Sequence, residues 1–351
     1  MNNAIIIIII ATVLAFAITA LLGFVAVPML HKLKYGQTIL DIGPKWHKNK
    51  EGTPTMGGIM FIIGIVFSII VTLVIAMVFA PTLIENEFSS KYGHYKIVSM
   101  VAGVILAICT GLIGFIDDFI KVVKKRNLGL TAKQKTVMQM IVSAGYLYSL
   151  YLGGMTYTRI PFIGTVNIDR GIGLLFWPIA LIFIYGFTNA VNLTDGIDGL
   201  ATSVTTVVAC FFIVVSVALG FNGLNSVLCD VCAAALAGGC IGFLLWNMHP
   251  AKIFMGDTGS MFLGGMVVAL SFMIEAPIVL IFAGVLYFIE ALSVVIQVAY
   301  FKKTGGKRLF KMTPIHHHFE LSNWSENKIV LVFSLVAFIG CSIAYLLLLY
   351  I

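Results

Sequence analysis

Val98-Ser-Met-Val-Ala-Gly-Val-Ile-Leu-Ala-Ile-Cys-Thr-Gly-Leu-Ile-Gly-Phe-Ile-Asp117-Asp118-Phe-Ile-Lys121 decides the fold. An apolar run long enough, at about 20 residues, to cross a bilayer as a helix ends abruptly on two adjacent acids. A charge at the bilayer centre costs about 2.5–3.5 kcal/mol, so acids so close to a span are kept for a reason. Lys121 lies four residues after Asp117 and three after Asp118, and on a continuing helix it sits over both. Such a cluster can hold a divalent metal and engage a phosphate.

The rest of the chain repeats this pattern. Hydrophobic residues make up 60% of its 351 residues and charged ones 11%, which excludes an ordinary soluble domain. Ten apolar stretches, near 3–30, 57–80, 97–118, 136–152, 172–191, 199–220, 227–247, 258–276, 278–301 and 327–350, predict an all-α polytopic membrane protein. Five inner connections, near 31–56, 119–135, 192–199, 248–257 and 302–328, would join them into one transmembrane domain. All but Lys91, Lys96, Arg159 and Arg170 of the 22 Lys and Arg fall in or beside these connections. The positive-inside rule then places the connections in the cytoplasm and both termini outside. The first apolar stretch lacks the basic start and short core of a signal peptide and reads as an uncleaved span. The six cysteines all fall in expected spans, and Cys229-Asp-Val-Cys232, without a second pair, reads as packing rather than redox or zinc chemistry. Glu85 to Lys96 has an amphipathic look and is expected on the outer surface.

Polar clusters gather at one level, the inner ends of the spans. The third connection, Asn189-Ala-Val-Asn192-Leu-Thr-Asp195-Gly-Ile-Asp198-Gly, is the one inner loop without Lys or Arg. Its polar side chains recur every third residue and would share one face of a helix or tight turn. In Asn247-Met-His-Pro-Ala-Lys-Ile-Phe254-Met-Gly-Asp257, the last acid immediately precedes an apolar run. Asp257 is either an N-cap or a third carboxylate facing Asp117 and Asp118. Three acids beside lysines suit a magnesium–diphosphate complex. Phe254 is either a base-stacking ring or an interfacial anchor. Pro314-Ile-His316-His317-His318-Phe-Glu320 follows a basic run, and three consecutive histidines suit a loop that presents N–H donors to an anion. The turn Lys50-Glu-Gly-Thr-Pro-Thr55-Met-Gly-Gly can hold a nucleotide oxygen or phosphate. Glu290 is the one isolated acid within a span, open to either a helix–helix hydrogen bond or a functional role.

Together these motifs resemble the polyprenyl-phosphate sugar-1-phosphate transferases. The triple-histidine loop and the Gly-Thr-Pro-Thr turn are most similar to the phospho-N-acetylmuramoyl-pentapeptide transferase family. The resemblance implies transfer of phospho-MurNAc-pentapeptide from its UDP carrier to undecaprenyl phosphate. The products would be lipid I and UMP, in the first membrane step of peptidoglycan synthesis. It implies a Mg²⁺ cofactor with Asp257 as ligand, Asp117 and Asp118 as possible further ligands, and Asp117 as the base for the lipid phosphate. It also implies that Lys50, Thr55, Asn189, Asn192, Asp195, Asp198, Asn247 and Phe254 line the donor site, with Lys121, Lys125 and His316 to His318 toward its phosphates. A functional lysine is expected in the second inner connection, where Lys135 is preferred over Lys133. By resemblance the protein is a homodimer of the bacterial plasma membrane, with its site facing the cytoplasm and no nucleic-acid partner. Two rivals remain: a sister transferase using a UDP-N-acetylhexosamine, and a secondary transporter of an anionic substrate. A transporter site would lie near the midplane at broken helices.

Overall fold

The computed structural model describes residues 2–32, 50, 52–89, 93–124, 128–219 and 226–351. Lys125 and most of the first inner connection lie outside the described residues. The chain is built of helices α1 (Asn2–Lys32), α2 (Gly58–Phe79), α3 (Pro81–Ser89), α4 (Gly93–Val123) and α5 (Ala132–Leu152). A short hairpin, β1 (Tyr157–Ile160) and β2 (Gly164–Asn167), leads to α6 (Phe176–Thr194), α7 (Leu200–Ala218), α8 (Val227–Asn247) and α9 (Gly256–Met273). Then come α10 (Leu280–Ala283), α11 (Val285–Lys303), α12 (Ile315–Glu320) and α13 (Glu326–Leu348). Nine helical segments among the described residues are long and apolar enough to cross a membrane, and the chain is a polytopic membrane protein. The fourth stretch read from the sequence is α5. It is helical over its full length, but Lys133, Gln134, Lys135 and Gln139 leave it outside those nine.

α8 and α9 form the buried centre, and the other long helices surround them with apolar side chains turned outward, such as Ile182, Leu331 and Phe338. Without a hydrophobic force between helices in lipid, close packing depends on small residues. α8 supplies them with Ala233, Ala234, Gly238, Gly239 and Gly242. Where α4 crosses α9, a Cβ on Gly114 would lie 2.1 Å from the Asp257 carbonyl oxygen. That near-contact of backbones sets the Asp117–Asp118 turn against the start of α9.

Glu85 to Lys96 falls across the end of α3 at Ser89 and the start of α4 at Gly93. Two outer features depart from the sequence reading. The apolar run over 278–301 is broken at Gly284 between α10 and α11. The hairpin pairs Tyr157 with Asn167 and Ile160 with Gly164. Glu275 latches it: its carbonyl accepts from the Arg159 backbone N–H at 2.8 Å, and its carboxylate lies 3.2 Å from the Arg159 guanidinium and accepts from the Tyr157 hydroxyl at 2.8 Å. Burial, and then the Glu275 charge, push the Tyr157 phenol above its ordinary pKa.

Candidate active site

α4 continues past its acids to Val123, so Lys121 falls one turn beyond them. Its Nζ lies 2.6 Å from Asp117 Oδ2, 3.7 Å from Asp118 Oδ1 and 3.0 Å from Asp257 Oδ2. Lys135, from the first turn of α5, brings a second ammonium to 3.1 Å from Asp257 Oδ2. Lys133 is exposed; the preferred lysine is the one that reaches the acids. Asn192, near the end of α6, donates to Asp257 Oδ1 and to Ser260 Oγ, each at 2.8 Å. The Leu130 N–H is 2.7 Å from Asp117 Oδ1.

Asp257 is not the N-cap of α9. That position is Met255, without a side-chain bond. Asp118 does equivalent work from another helix, its Oδ2 accepting from the Thr258 backbone N–H (2.9 Å) and hydroxyl (2.7 Å). Asp257 is therefore released toward the lysines. Gly256 (φ +70°) is required there, since a Cβ would lie 2.4 Å from Asp118 Oδ2 and 2.8 Å from Thr55 Oγ1. Thr55 is brought in by backbone bonds from the Phe254 N–H to the Pro54 carbonyl and from the Gly57 N–H to the Phe254 carbonyl, both 2.8 Å.

Each of Asp117, Asp118 and Asp257 offers an oxygen within 4.8 Å of the others. An all-carboxylate donor set, at the positive end of α9, fits a hard cation such as magnesium that also binds phosphate. Three carboxylates against two ammonium groups leave the cluster with one net negative charge. Asp195, at the end of α6, is half-buried. Burial, and then the charges of Asp257, Asp118 and Asp198, hold its carboxyl well above the usual range.

A second cluster adjoins through the turn between α6 and α7. Lys50 Nζ lies 2.7 Å from Asp198 Oδ1 and 2.7 Å from Glu326 Oε1 at the start of α13. His249 Nδ1 and the Ala251 N–H reach Asp198 Oδ2 at 2.9 and 3.0 Å, and Glu326 Oε2 accepts the Asp198 N–H at 3.0 Å. Glu326 and His249 were not candidates from the sequence. Their carboxylate and imidazole positions could also suit a cation, but the Lys50 ammonium already fills that role.

Two amides expected to face the donor are spent on the protein instead. Asn247 Oδ1 accepts from the Gly199 N–H and the Thr202 hydroxyl at 3.1 Å, and its Nδ2 donates to the Ile253 carbonyl at 3.0 Å. Asn189 Nδ2 donates to Gln139 Oε1 and to the Tyr185 carbonyl, both at 2.8 Å. They brace the walls of the site.

The histidines also correct the sequence reading. They form a short helix, α12, rather than a loop. Helical geometry turns consecutive side chains about 100° apart, and each finds a different partner. Fully buried His316 meets Glu290 Oε2 through Nδ1 at 3.1 Å. His317 Nδ1 lies 2.6 Å from Glu320 Oε2, and His318 Nδ1 accepts from the Lys311 N–H at 3.2 Å. Glu290 thus bonds to a neighbouring element. A Cβ on Gly196 would lie 2.1 Å from His316 Nε2, so this pair backs the Asn192–Asp198 turn.

A glycosyl transferase family 4 model matches residues 99–275, which include both acids of the Asn192–Asp198 turn and the carboxylate cluster. Signature 1 of the phospho-N-acetylmuramoyl-pentapeptide-transferases matches residues 50–62. A phospho-N-acetylmuramoyl-pentapeptide-transferase of Clostridium perfringens (strain SM101 / Type A) is 44% identical over 339 residues, 96% of each chain. The chain belongs to this family. Transferases of the same name from Acetivibrio thermocellus (44% identical; 95% of this chain, 93% of the relative) and Listeria monocytogenes (43%; 94% of each) agree. The family's signature covers Lys50 and Thr55, whereas Glu290, the histidines and Glu326 lie outside both matched ranges.

Proposed function

We propose that this chain performs the reaction named by its family: transfer of phospho-MurNAc-pentapeptide from the UDP carrier to undecaprenyl phosphate, releasing UMP and forming lipid I. The observation that carries this reading is the Asp117–Asp118–Asp257 cluster with Lys121 and Lys135 at the ends of apolar helices. A polyanionic, water-borne donor and a lipid phosphate can meet only at such a level. A midplane transporter site would place its polar groups within broken spans.

Asp257, with Asp117 and Asp118, would hold Mg²⁺, which when bound neutralises the diphosphate as a Lewis acid. Lys121 and Lys135, now paired with carboxylates, are placed to stabilise charge developing on the phosphates. Asp117 takes the proton of the lipid phosphate, whose oxygen then attacks directly. Lys50, Asp198 and Glu326 hold the nucleotide end, Phe254 offers a ring to its base, and Asn192 and Asp195 line the path between. Holding both substrates in line supplies much of the remaining rate enhancement. The enzyme is read as one membrane domain with ten spans, counting α5. The basic connections put the site in the cytoplasm and the termini outside the plasma membrane, and the family likeness favours a homodimer.

The test is UMP release by purified protein with undecaprenyl phosphate, Mg²⁺ and either donor. UDP-MurNAc-pentapeptide is expected to be consumed faster. If UDP-N-acetylglucosamine is the faster donor, the sister-transferase reading replaces this one.

A further inference from the structure

Asp257 is gripped from two helices that are themselves held very differently. α6 is fixed on the centre of the fold: where it crosses α9, a Cβ on Gly264 would lie 2.8 Å from Thr188 Cα and 3.0 Å from the Thr188 carbonyl oxygen, so the two backbones touch. Asn192, one turn after Thr188, is carried by that contact to its 2.8 Å bond with Asp257 Oδ1. α5 lies at the periphery and turns Val137, Ile141 and Tyr148 outward. Its Lys135 reaches Asp257 Oδ2 at 3.1 Å, but an ammonium on a flexible four-carbon stem does not hold its own helix in place. α5 needs a tether of another kind.

Gln139 is placed to supply it. Its side chain is buried, and its amide exchanges two hydrogen bonds with Asn189 of α6. Asn189 Nδ2 donates to Gln139 Oε1 at 2.8 Å, and Gln139 Nε2 donates to Asn189 Oδ1 at 3.3 Å. Asn189 Nδ2 also donates to the Tyr185 carbonyl at 2.8 Å, which ties the α6 side of the pair to its own helix. Gln139 follows Lys135 by four residues and Asn189 precedes Asn192 by three. On antiparallel helices the amide pair therefore lies roughly 5 Å, about one turn, farther from the acids than the two groups that grip Asp257. A slip of α5 by one residue, about 1.5 Å along and 100° around its axis, would break both amide bonds.

We propose that Gln139 is a positioning residue of the transfer reaction: through Asn189 it fixes α5 in the register at which Lys135 holds Asp257 Oδ2 opposite Asn192 on Oδ1. The inference rests on the functional reading above. Gln139 touches neither substrate and acts only through Lys135. Without the amide pair α5 can turn or slide, and the Lys135 ammonium leaves Asp257 and the donor phosphates for part of the time. A lysine withdrawn in this way no longer repels a divalent ion at Asp257, and no longer attracts the donor. An interhelical hydrogen bond in a membrane protein shifts such an equilibrium about 3-fold on average, so the effect is graded and smaller than loss of Lys135 itself.

Gln139→Met keeps the length of the side chain and removes both bonds. Gln139→Asn keeps a buried amide, which guards against loss of folding, and is about 1.5 Å too short to reach. Each variant is made alone and together with Lys135→Met. Mn²⁺ affinity without donor is read by electron paramagnetic resonance, and donor KM and kcat by UMP release at saturating Mg²⁺. Both single variants are expected to bind Mn²⁺ about 3-fold more tightly and to raise the donor KM about 3-fold, with kcat changed less than KM. On the Lys135→Met background neither is expected to add anything further. A general packing defect would instead weaken Mn²⁺ binding and add its loss to that of Lys135→Met. Either of those results, or unchanged values in folded protein, overturns the role of Gln139 and leaves the functional reading standing. Absence of turnover by the wild type overturns the functional reading, and this inference with it.

Discussion

Replacing Lys135 by methionine separates the two jobs proposed for the acid cluster and its lysines, holding a cation and holding an anion. Lys135 Nζ is 3.1 Å from Asp257 Oδ2, and magnesium–oxygen bonds are about 2.1 Å, so an ion on that oxygen lies within about 5.2 Å of the ammonium. Repulsion between charges of +1 and +2 at that separation is about 1.6 kcal/mol with the dielectric of water, and about 6 kcal/mol at an effective value of 20. The Lys135 side chain is 19% exposed and can swing aside on its four-carbon stem, so the lower figure applies. It corresponds to about 15-fold in affinity. Lys135→Met is therefore expected to bind a divalent ion about 10-fold more tightly in the absence of donor, while the donor KM rises about 10-fold for want of the same charge. Mn²⁺ titration followed by electron paramagnetic resonance reads the first effect, and UMP-release kinetics at saturating Mg²⁺ the second. Lys133→Met, at the exposed neighbour, is expected to change neither. Unchanged or weaker Mn²⁺ binding in folded Lys135→Met protein would refute the placement of the metal at Asp257.

Asp117→Asn, Asp118→Asn and Asp257→Asn are each expected to lower turnover at least about 100-fold, and near-wild-type UMP release from the Asp257 variant would remove it from the metal site. Asp195→Asn is expected to lose activity yet gain stability at neutral pH. A carboxyl raised by burial binds its proton more tightly folded than unfolded, so stability falls as pH rises above the ordinary carboxylate value of about 4. Without added metal, the variant should melt about 2–4 °C higher at pH 8, the shift that about 1 kcal/mol produces, and the gap should close toward pH 4; a lower melting point at pH 8 contradicts the argument. Direct attack by the lipid phosphate predicts inversion at the transferred phosphorus. Both Asp117 oxygens are engaged, by Leu130 N–H and Lys121, and Asp118 Oδ2 by Thr258, which disfavours a phospho-aspartyl route. Retention, followed with an isotopically chiral donor, would establish two displacements instead.

Most of the fold is legible because composition decides it: long apolar runs have no alternative to helices in a bilayer. The exceptions have local causes. α5 mixes lysine and glutamine into its first turns because that end faces the acids, which blurs its hydropathy without altering its helix. The break at Gly284 lies inside a continuous apolar run and leaves no compositional trace. The hairpin strands are four residues each, and what holds them is Glu275, more than a hundred residues away.

The clustered acids were legible for the opposite reason. An acid pair at the end of a span is expensive, and its lysine one turn later is fixed by helical spacing alone. Cost announces that a partner exists; it does not say which. Glu290 shows the limit: its isolation within a span required a donor, and only the packed structure identifies His316. Glu326 was hidden differently. Ser325 caps α13, and an acid in the first turn after a cap already has a sufficient local explanation in the helix dipole. Its bonds to Lys50 and to the Asp198 N–H span 276 and 128 residues, distances over which no periodicity in the sequence operates. Local rules therefore find a charge that lacks a local reason and pass over one that has a local reason and a distant role as well.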